Sequence, residues 1–296
     1  MVTIKQKQKK QNQLAIMLGT VLVFLVGGGI YFYSAHAPIS RDPVTNCEIG
    51  GPTAYTAIIF DQSEAFPYAA VQEIRRIFDA FLSGRSEDIN FADRALENTQ
   101  IEFNRNAFSS NSQLQLYVMN EDAINSNEGV EPIFLGNGDS AIKCLGPWGD
   151  SLTTLGALFV NADMLTDDKR EIIEAFNEEI DAVLTDDQGN SPIMEMVAAV
   201  SRSNEFAREF EKPHYLIIIS DFIQEMPNYS HRRSNINFDS WVANSTINGS
   251  FLNTEVQMIY VRRPDDSGIQ NHLHISFWER FFNSINLSPS YFLYTI

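Results

Sequence analysis

Apolar and polar positions follow two periods along this chain, and the switches between them mark its elements. "YTAIIF" from Tyr55 is continuously apolar, as strands covered on both faces are, and it stops at Asp61. Beyond Pro67, Ala70, Ile74, Ile77, Phe78 and Phe81 recur at helical spacing opposite Glu73, Arg75, Arg76 and Asp79, which predicts an amphipathic helix. "QLQLYVMN", Gln113 to Asn120, alternates and predicts a second strand, whereas 125–148 is rich in glycine and turn residues and reads as loop. "LTTLGALFV" after it fits either a strand or a helix. Thr166 stands where it would cap a helix whose buried stripe is Ile172, Ile173, Phe176, Ile180, Val183 and Leu184. Ser191 and Pro192 open another helix, "SPIMEMVAAVSRS". "HYLIIISDFIQEM" is the most apolar strand and runs into Ser220 and Asp221, and "TEVQMIYVRR", Thr254 to Arg263, is a further strand. "HISFWERFFNSI" closes the pattern as a helix with Ile275, Trp278, Phe281, Phe282 and Ile285 on its apolar side.

Strands alternating with helices predict the α/β class, a three-layer, doubly wound, mostly parallel sheet. Such sheets bind ligands outside the carboxyl ends of their strands, where the strand order reverses. Asp61 and Asp221 both fall at carboxyl ends.

One stretch departs from this pattern. Leu14 to Tyr33, "LAIMLGTVLVFLVGGGIYFY", carries no charge over 20 positions, and as a helix it would span about 30 Å, the thickness of a bilayer core. It predicts a single membrane-crossing helix. Lys5, Lys7, Lys9 and Lys10 precede it and put the N-terminus in the cytoplasm, while Tyr31, Phe32 and Tyr33 suit the far interface. The expected organisation is a basic cytoplasmic tail (1–13), a transmembrane helix (14–33), a linker (34–53), a folded domain (54–287) and a C-terminal tail (288–296). The domain would face the periplasm or cell exterior from the inner membrane. A cleaved signal peptide ending near Ala35-His36-Ala37 is the rival, opposed by the length of the apolar run.

The net charge of −17 excludes a general nucleic-acid binder, because neutralising phosphates takes clustered Lys and Arg. Cys47 and Cys144 both fall on the expected exported side, where a disulfide from the linker to the domain body or two buried thiols are both open readings. Sequons at Asn228, Asn244 and Asn248 matter only in a eukaryotic secretory pathway.

By topology, Asp61-Gln62-Ser63, Ser191 and Asp221 converge on one edge of the sheet. Two hydroxyls, one or two carboxylates and water form a sensible shell for a hard cation such as Mg2+. At these residues the sequence resembles a von Willebrand factor type A domain, whose first strand ends in Asp-x-Ser-x-Ser, whose second site loop supplies a Thr before a helix, and whose fourth strand ends in Asp. "DQSEA" supplies Asp61 and Ser63, "GNSPIMEMVAAV" has Ser191 in the Thr place, and "IIISDF" supplies Asp221. The resemblance, over roughly 54–285, implies a non-enzymatic interaction module holding Mg2+ or Mn2+ through Asp61, Ser63, Ser191 and Asp221, with an acidic partner residue completing the shell. Ala65 replaces the second serine and removes one hydroxyl. The site is therefore expected to be either working or vestigial.

Plainer readings stand beside these. Asp61 can close a turn, Ser63 can cap the following helix, and Ser191 can be an ordinary cap. A haloacid-dehalogenase-like phosphohydrolase also opens on a strand ending in Asp, but it needs a carboxylate two residues on, where this chain has Ser63. His272 and His274 read as surface or capping residues at a helix start, and His231-Arg232-Arg233 as a short basic patch near the site.

Overall fold

The computed structural model describes residues 17, 19–24, 26–28, 40–82, 105–109, 111–119, 132, 142–145, 170, 173–174, 176–178, 181, 189–203, 211–227, 229–233, 237–244, 251, 253–287 and 293–295. The chain divides into two compact units, one of 1–40 with 152–161 and one of 41–151 with 162–296. In the first, the described residues between 17 and 28 are helical, and Met17, Leu22, Val23 and Phe24 expose their apolar side chains. No described helix is long and apolar enough to cross a membrane, and half of 14–33 lies outside the described residues.

The second unit is α/β. Its elements are β1 (Ala54–Asp61), α1 (Tyr68–Leu82), a 3-10 turn (Arg105–Phe108), β2 (Ser112–Met119), β3 (Ile142–Cys144), α2 (Ile193–Arg202), β4 (His214–Ser220), β5 (Glu225–Met226), β6 (Tyr229–Ser230), α3 (Phe238–Asn244), β7 (Thr254–Tyr260), α4 (His272–Ser284) and β8 (Leu293–Thr295). Six strands form the sheet β3-β2-β1-β4-β7-β8, parallel throughout except for β3 at one edge. β5 and β6 form a separate small ribbon.

Both faces of this sheet are covered, which is why β1 and β4 are apolar without alternation. Ile58, Phe60, Leu116, Ile217, Ile219 and Ile259 pack on one side with Ile74, Ile77 and Phe78 of α1. Their neighbours Ala57, Ile59, Tyr117, Ile218 and Tyr260 pack on the other with Met196 and Val197 of α2, Trp241 of α3 and Phe281 of α4. Each fully buried aliphatic or aromatic side chain is worth about 1.5–3 kcal/mol relative to exposure.

Two expectations change here. The stretch 125–148, read as loop, contains β3, whose three residues are too few to show a period. The strand read as Thr254 to Arg263 is Thr254–Tyr260, three residues shorter, which leaves Val261, Arg262 and Arg263 beyond it. Helical residues around Arg170 to Asp181 agree with the helix expected there, with Phe176 buried against β1, while "LTTLGALFV" lies outside the described residues. Cys47 and Cys144 are bonded across 97 residues of sequence. Closing a loop of that length restricts the unfolded chain by about 4–5 kcal/mol in the chain-entropy account.

Candidate functional site

The order of the strands fixes where chemistry can collect. From β1 the chain winds outward to β2 and β3 on one side and to β4, β7 and β8 on the other, so the reversal lies between β1 and β4. The register pairs Phe60 with Ile219, which sets Asp61 beside Ser220 and Asp221 at the carboxyl ends. Both aspartates are 2% exposed.

Each aspartate uses one oxygen to close its own turn. The Ser63 N–H donates to Asp61 Oδ1 at 3.0 Å, and the Ile223 N–H donates to Asp221 Oδ1 at 2.8 Å. These are Asx turns, in which a short carboxylate caps the backbone two residues on. The second oxygen of each remains for contacts across loops. Asp61 Oδ2 accepts from Ser220 Oγ at 2.6 Å and from Ser191 Oγ at 2.9 Å. Asp221 Oδ2 accepts from Arg263 Nε.

The Ser191 loop is held in place by its backbone. Ser191 exchanges two hydrogen bonds with Glu225, at 3.1 and 2.9 Å, and the Gly189 N–H donates to the Ser63 carbonyl at 3.1 Å. Gly189 has φ +92°, a conformation that glycine adopts without penalty. The start of α2 is satisfied by Gln224, whose Oε1 accepts from the Met194 N–H while its Nε2 donates to Glu195. Ser191 is therefore no ordinary cap, because its hydroxyl goes to Asp61. Ser63 is no cap either: α1 begins at Tyr68, and the backbone of Ser63 ties the loop together.

Hydrogen bonds thus join Asp61 to Ser63 and Ser191, Asp221 follows Ser220 at the same edge, and the structure adds two more residues. Ser220 completes the donors to Asp61 and also accepts from the Phe222 N–H at 2.7 Å. Arg263 reaches in from beyond β7. Besides Asp221, its guanidinium donates to the carbonyls of Ala65 at 3.2 Å and Glu64 at 3.0 Å, pairs with Glu64 Oε2 at 3.5 Å, and lies 5.7 Å from the centre of the Phe66 ring. Gln270 fixes its backbone by accepting from the Arg263 N–H at 2.7 Å, and donates to the Asp221 carbonyl at 3.0 Å. The signal for Arg263 was present in sequence as a basic residue just past an apolar parallel strand, but using it required knowing that β7 lies beside β4.

Electrostatics follow from burial. Asp221 is pushed up to about 7, first by desolvation and then by the charge of Asp61, with Arg263 and the Ile223 N–H pulling it back. At the rim, the Arg232 hydrogen bond holds Glu64 below its ordinary value against partial burial, and Arg232 also pairs with Asp266 at 3.1 Å. The His231-Arg232-Arg233 patch is thus bound rather than merely solvated: Arg233 pairs with Glu225 at 2.8 Å and His231 is buried.

This donor set does not fit a divalent cation as it stands. The oxygens that would face an ion already accept from Ser191, Ser220 and Arg263, and Ala65 offers its carbonyl to the guanidinium where a hydroxyl was expected. Among the described residues, no group of three or more His, Cys, Asp or Glu is arranged to hold a metal. A cavity of about 640 Å³ lies elsewhere, lined by Arg75, Arg76, Asp79, Asn177 and Asp181 among others.

Beneath the edge lies a second polar cluster. His274, expected at the surface, is fully buried, and Asn271 caps α4 in its place. His274 Nδ1 meets the Tyr260 hydroxyl at 2.6 Å and its Nε2 meets His231 Nδ1 at 2.9 Å. With neutral rings, Tyr260 donates to His274 and His274 donates to His231, which leaves His231 Nε2 buried without a partner. Phe222 joins the two clusters. It holds φ +60°, strained for an aromatic residue, and its carbonyl accepts from Trp278 Nε1 at 2.9 Å.

No protein-family model and no curated protein matches this chain. Solved structures similar to it include proximal thread matrix protein 1 (PTMP1) from the mussel byssus, with a TM-score of 0.33 and 10% identity. That match covers 72% of this chain and 39% of that one, so the chain spans about two fifths of its length.

Proposed function

We propose that this chain is a membrane-anchored, non-enzymatic protein-interaction or scaffolding module with a von Willebrand factor type A-like doubly wound domain, working in a bacterial envelope assembly. The observation that carries this reading is the meeting of Asp61, Ser63, Ser191 and Asp221, from three separated loops, at the point where the strand order reverses. Ligands bind open α/β sheets at that point. The exposed rim of Glu64, Ala65 and Arg232 is the surface a partner would meet, and a partner carboxylate would find guanidinium groups there. The Cys47–Cys144 bond supports an oxidising compartment, and the exposed apolar side chains near the N-terminus support a helix anchored in a membrane.

A phosphohydrolase reading finds less support, because Asp61 is buried, both of its oxygens are engaged, and Ser63 stands where a general acid is needed.

Photocrosslinking in producing cells tests the proposal. A crosslinking residue at Ala65 of the full chain should yield a discrete protein adduct that the same residue at Glu211, before the amino end of β4, does not. No adduct at 65, or equal adducts at both, would contradict it. Asp61-dependent turnover of a phosphate ester would favour the hydrolase instead.

A further inference from the structure

The site's geometry poses a question about charge. A divalent cation in the resembled family bridges the loop after the first strand and the aspartate after the fourth. In this chain one side chain makes that bridge. The Arg263 guanidinium gathers Asp221 from the end of β4 and the carbonyls of Glu64 and Ala65 from the loop after β1. It is 13% exposed, rests near Phe66, and is anchored at its backbone by Gln270. A planar guanidinium suits this task because its donors fan out to several oxygens and its charge persists at every relevant pH. Ala65 fits the same arrangement, since a position that offers its carbonyl to an arginine has no need of a ligating hydroxyl.

We propose that Arg263 is a built-in cation that takes the place of a divalent metal at this edge, so that the wild-type site works without metal and removal of the guanidinium uncovers a divalent-cation site formed by Asp61, Ser63, Ser191 and Asp221. The proposal rests on the reading of this edge as the interaction site. It gives that site a cation that is insensitive to metal supply and to chelators.

The test is titration of Mn2+ into the full chain in detergent, reading free Mn2+ by electron paramagnetic resonance and folding by near-ultraviolet circular dichroism. Wild type should leave the free-ion signal unchanged and melt at the same temperature in chelator and in Mn2+. Arg263→Ala should remove the signal up to one equivalent, and Arg263→Ala/Asp61→Ala should not. If Arg263→Ala is unfolded in chelator, the proposal requires Mn2+ to restore its fold. Saturable Asp61-dependent binding by wild type would overturn the proposal, as would a folded Arg263→Ala that binds nothing or an unfolded one that Mn2+ fails to rescue. Crosslinking at Ala65 of wild type reads the interaction separately, so an adduct without Mn2+ binding by Arg263→Ala sinks only the built-in cation.

Discussion

Two buried titratable pairs lie on either side of Phe222, and the protein treats them differently. At the sheet edge, Asp61 and Asp221 are like charges out of water, and their surroundings supply positive charge and donors: Arg263, two hydroxyls and two backbone N–H groups. Below it, His231 and His274 need no counter-charge. Burial keeps both rings neutral, holding His274 down at about 4 and His231 lower still, and the rings then bond to one another and to Tyr260. Both pairs shed charge on burial, Asp221 by keeping its proton up to about 7 and the imidazoles by losing theirs, but only the carboxylates also gather a cation and donors around them. The first arrangement leaves charge at the sheet edge, and the second leaves none in the core.

The difference is sharpest in stability against pH. Over the range from about 4 to about 7, unfolded Asp221 has lost a proton that the folded group keeps, so its contribution falls as pH rises. Over pH 6.5 to about 4, unfolded His274 takes up a proton that the folded ring refuses, so its contribution falls as pH drops. The two pairs pull stability in opposite directions over nearly the same interval.

The largest effect should come from removing a charge at the edge. Arg263→Ala and Asp61→Ala should each lower stability by about 3–5 kcal/mol in metal-free chemical denaturation, because each leaves buried groups without partners. A loss under about 1 kcal/mol for both would mean the edge is open to water and the contrast with the histidines fails. Next comes His274→Gln. Wild type should lose about 2–3 kcal/mol between pH 6.5 and 4 on this ring's account, and the variant should lose less over that interval. Parallel wild-type and variant curves would show that the imidazole charges without cost. Asp221→Asn should show the opposite trend, comparing worst with wild type near pH 4 and recovering toward pH 7. Ser220→Ala and Ser191→Ala should cost about 1–3 kcal/mol each, as buried hydrogen bonds do, with Ser220 the more costly because it also accepts from the Phe222 N–H. The smallest effect belongs to Arg232→Ala, at about 1 kcal/mol or less, since its pairs lie partly in water.

What the sequence revealed depended on the distance over which each feature is encoded. The strands β1 and β4 and the helices α1, α2 and α4 were legible because burial on one or both faces writes a period into consecutive residues. β3 was not, being three residues long and defined by its neighbour. Asp61 and Asp221 could be placed at carboxyl ends from local pattern alone, and Ser191 at a helix start. Their partners could not. Ser220 stood in plain view beside Asp221, but its bond to Asp61 spans 159 residues and exists only through the β1–β4 register. Arg263 required the place of β7 in the sheet. His274 was misjudged because a histidine two residues into a helix looks exposed until a second histidine, 43 residues away, is known to face it.

The central claim is that Arg263 is locked onto a buried Asp221, and nitrogen-edited proton spectra of the arginine Nε region test it most directly. The account predicts one slowly exchanging Arg Nε–H, shifted downfield by its carboxylate, that disappears in Arg263→Lys and moves upfield in Asp221→Asn. A spectrum in which every Arg Nε–H exchanges rapidly, with no resonance sensitive to either substitution, would contradict it.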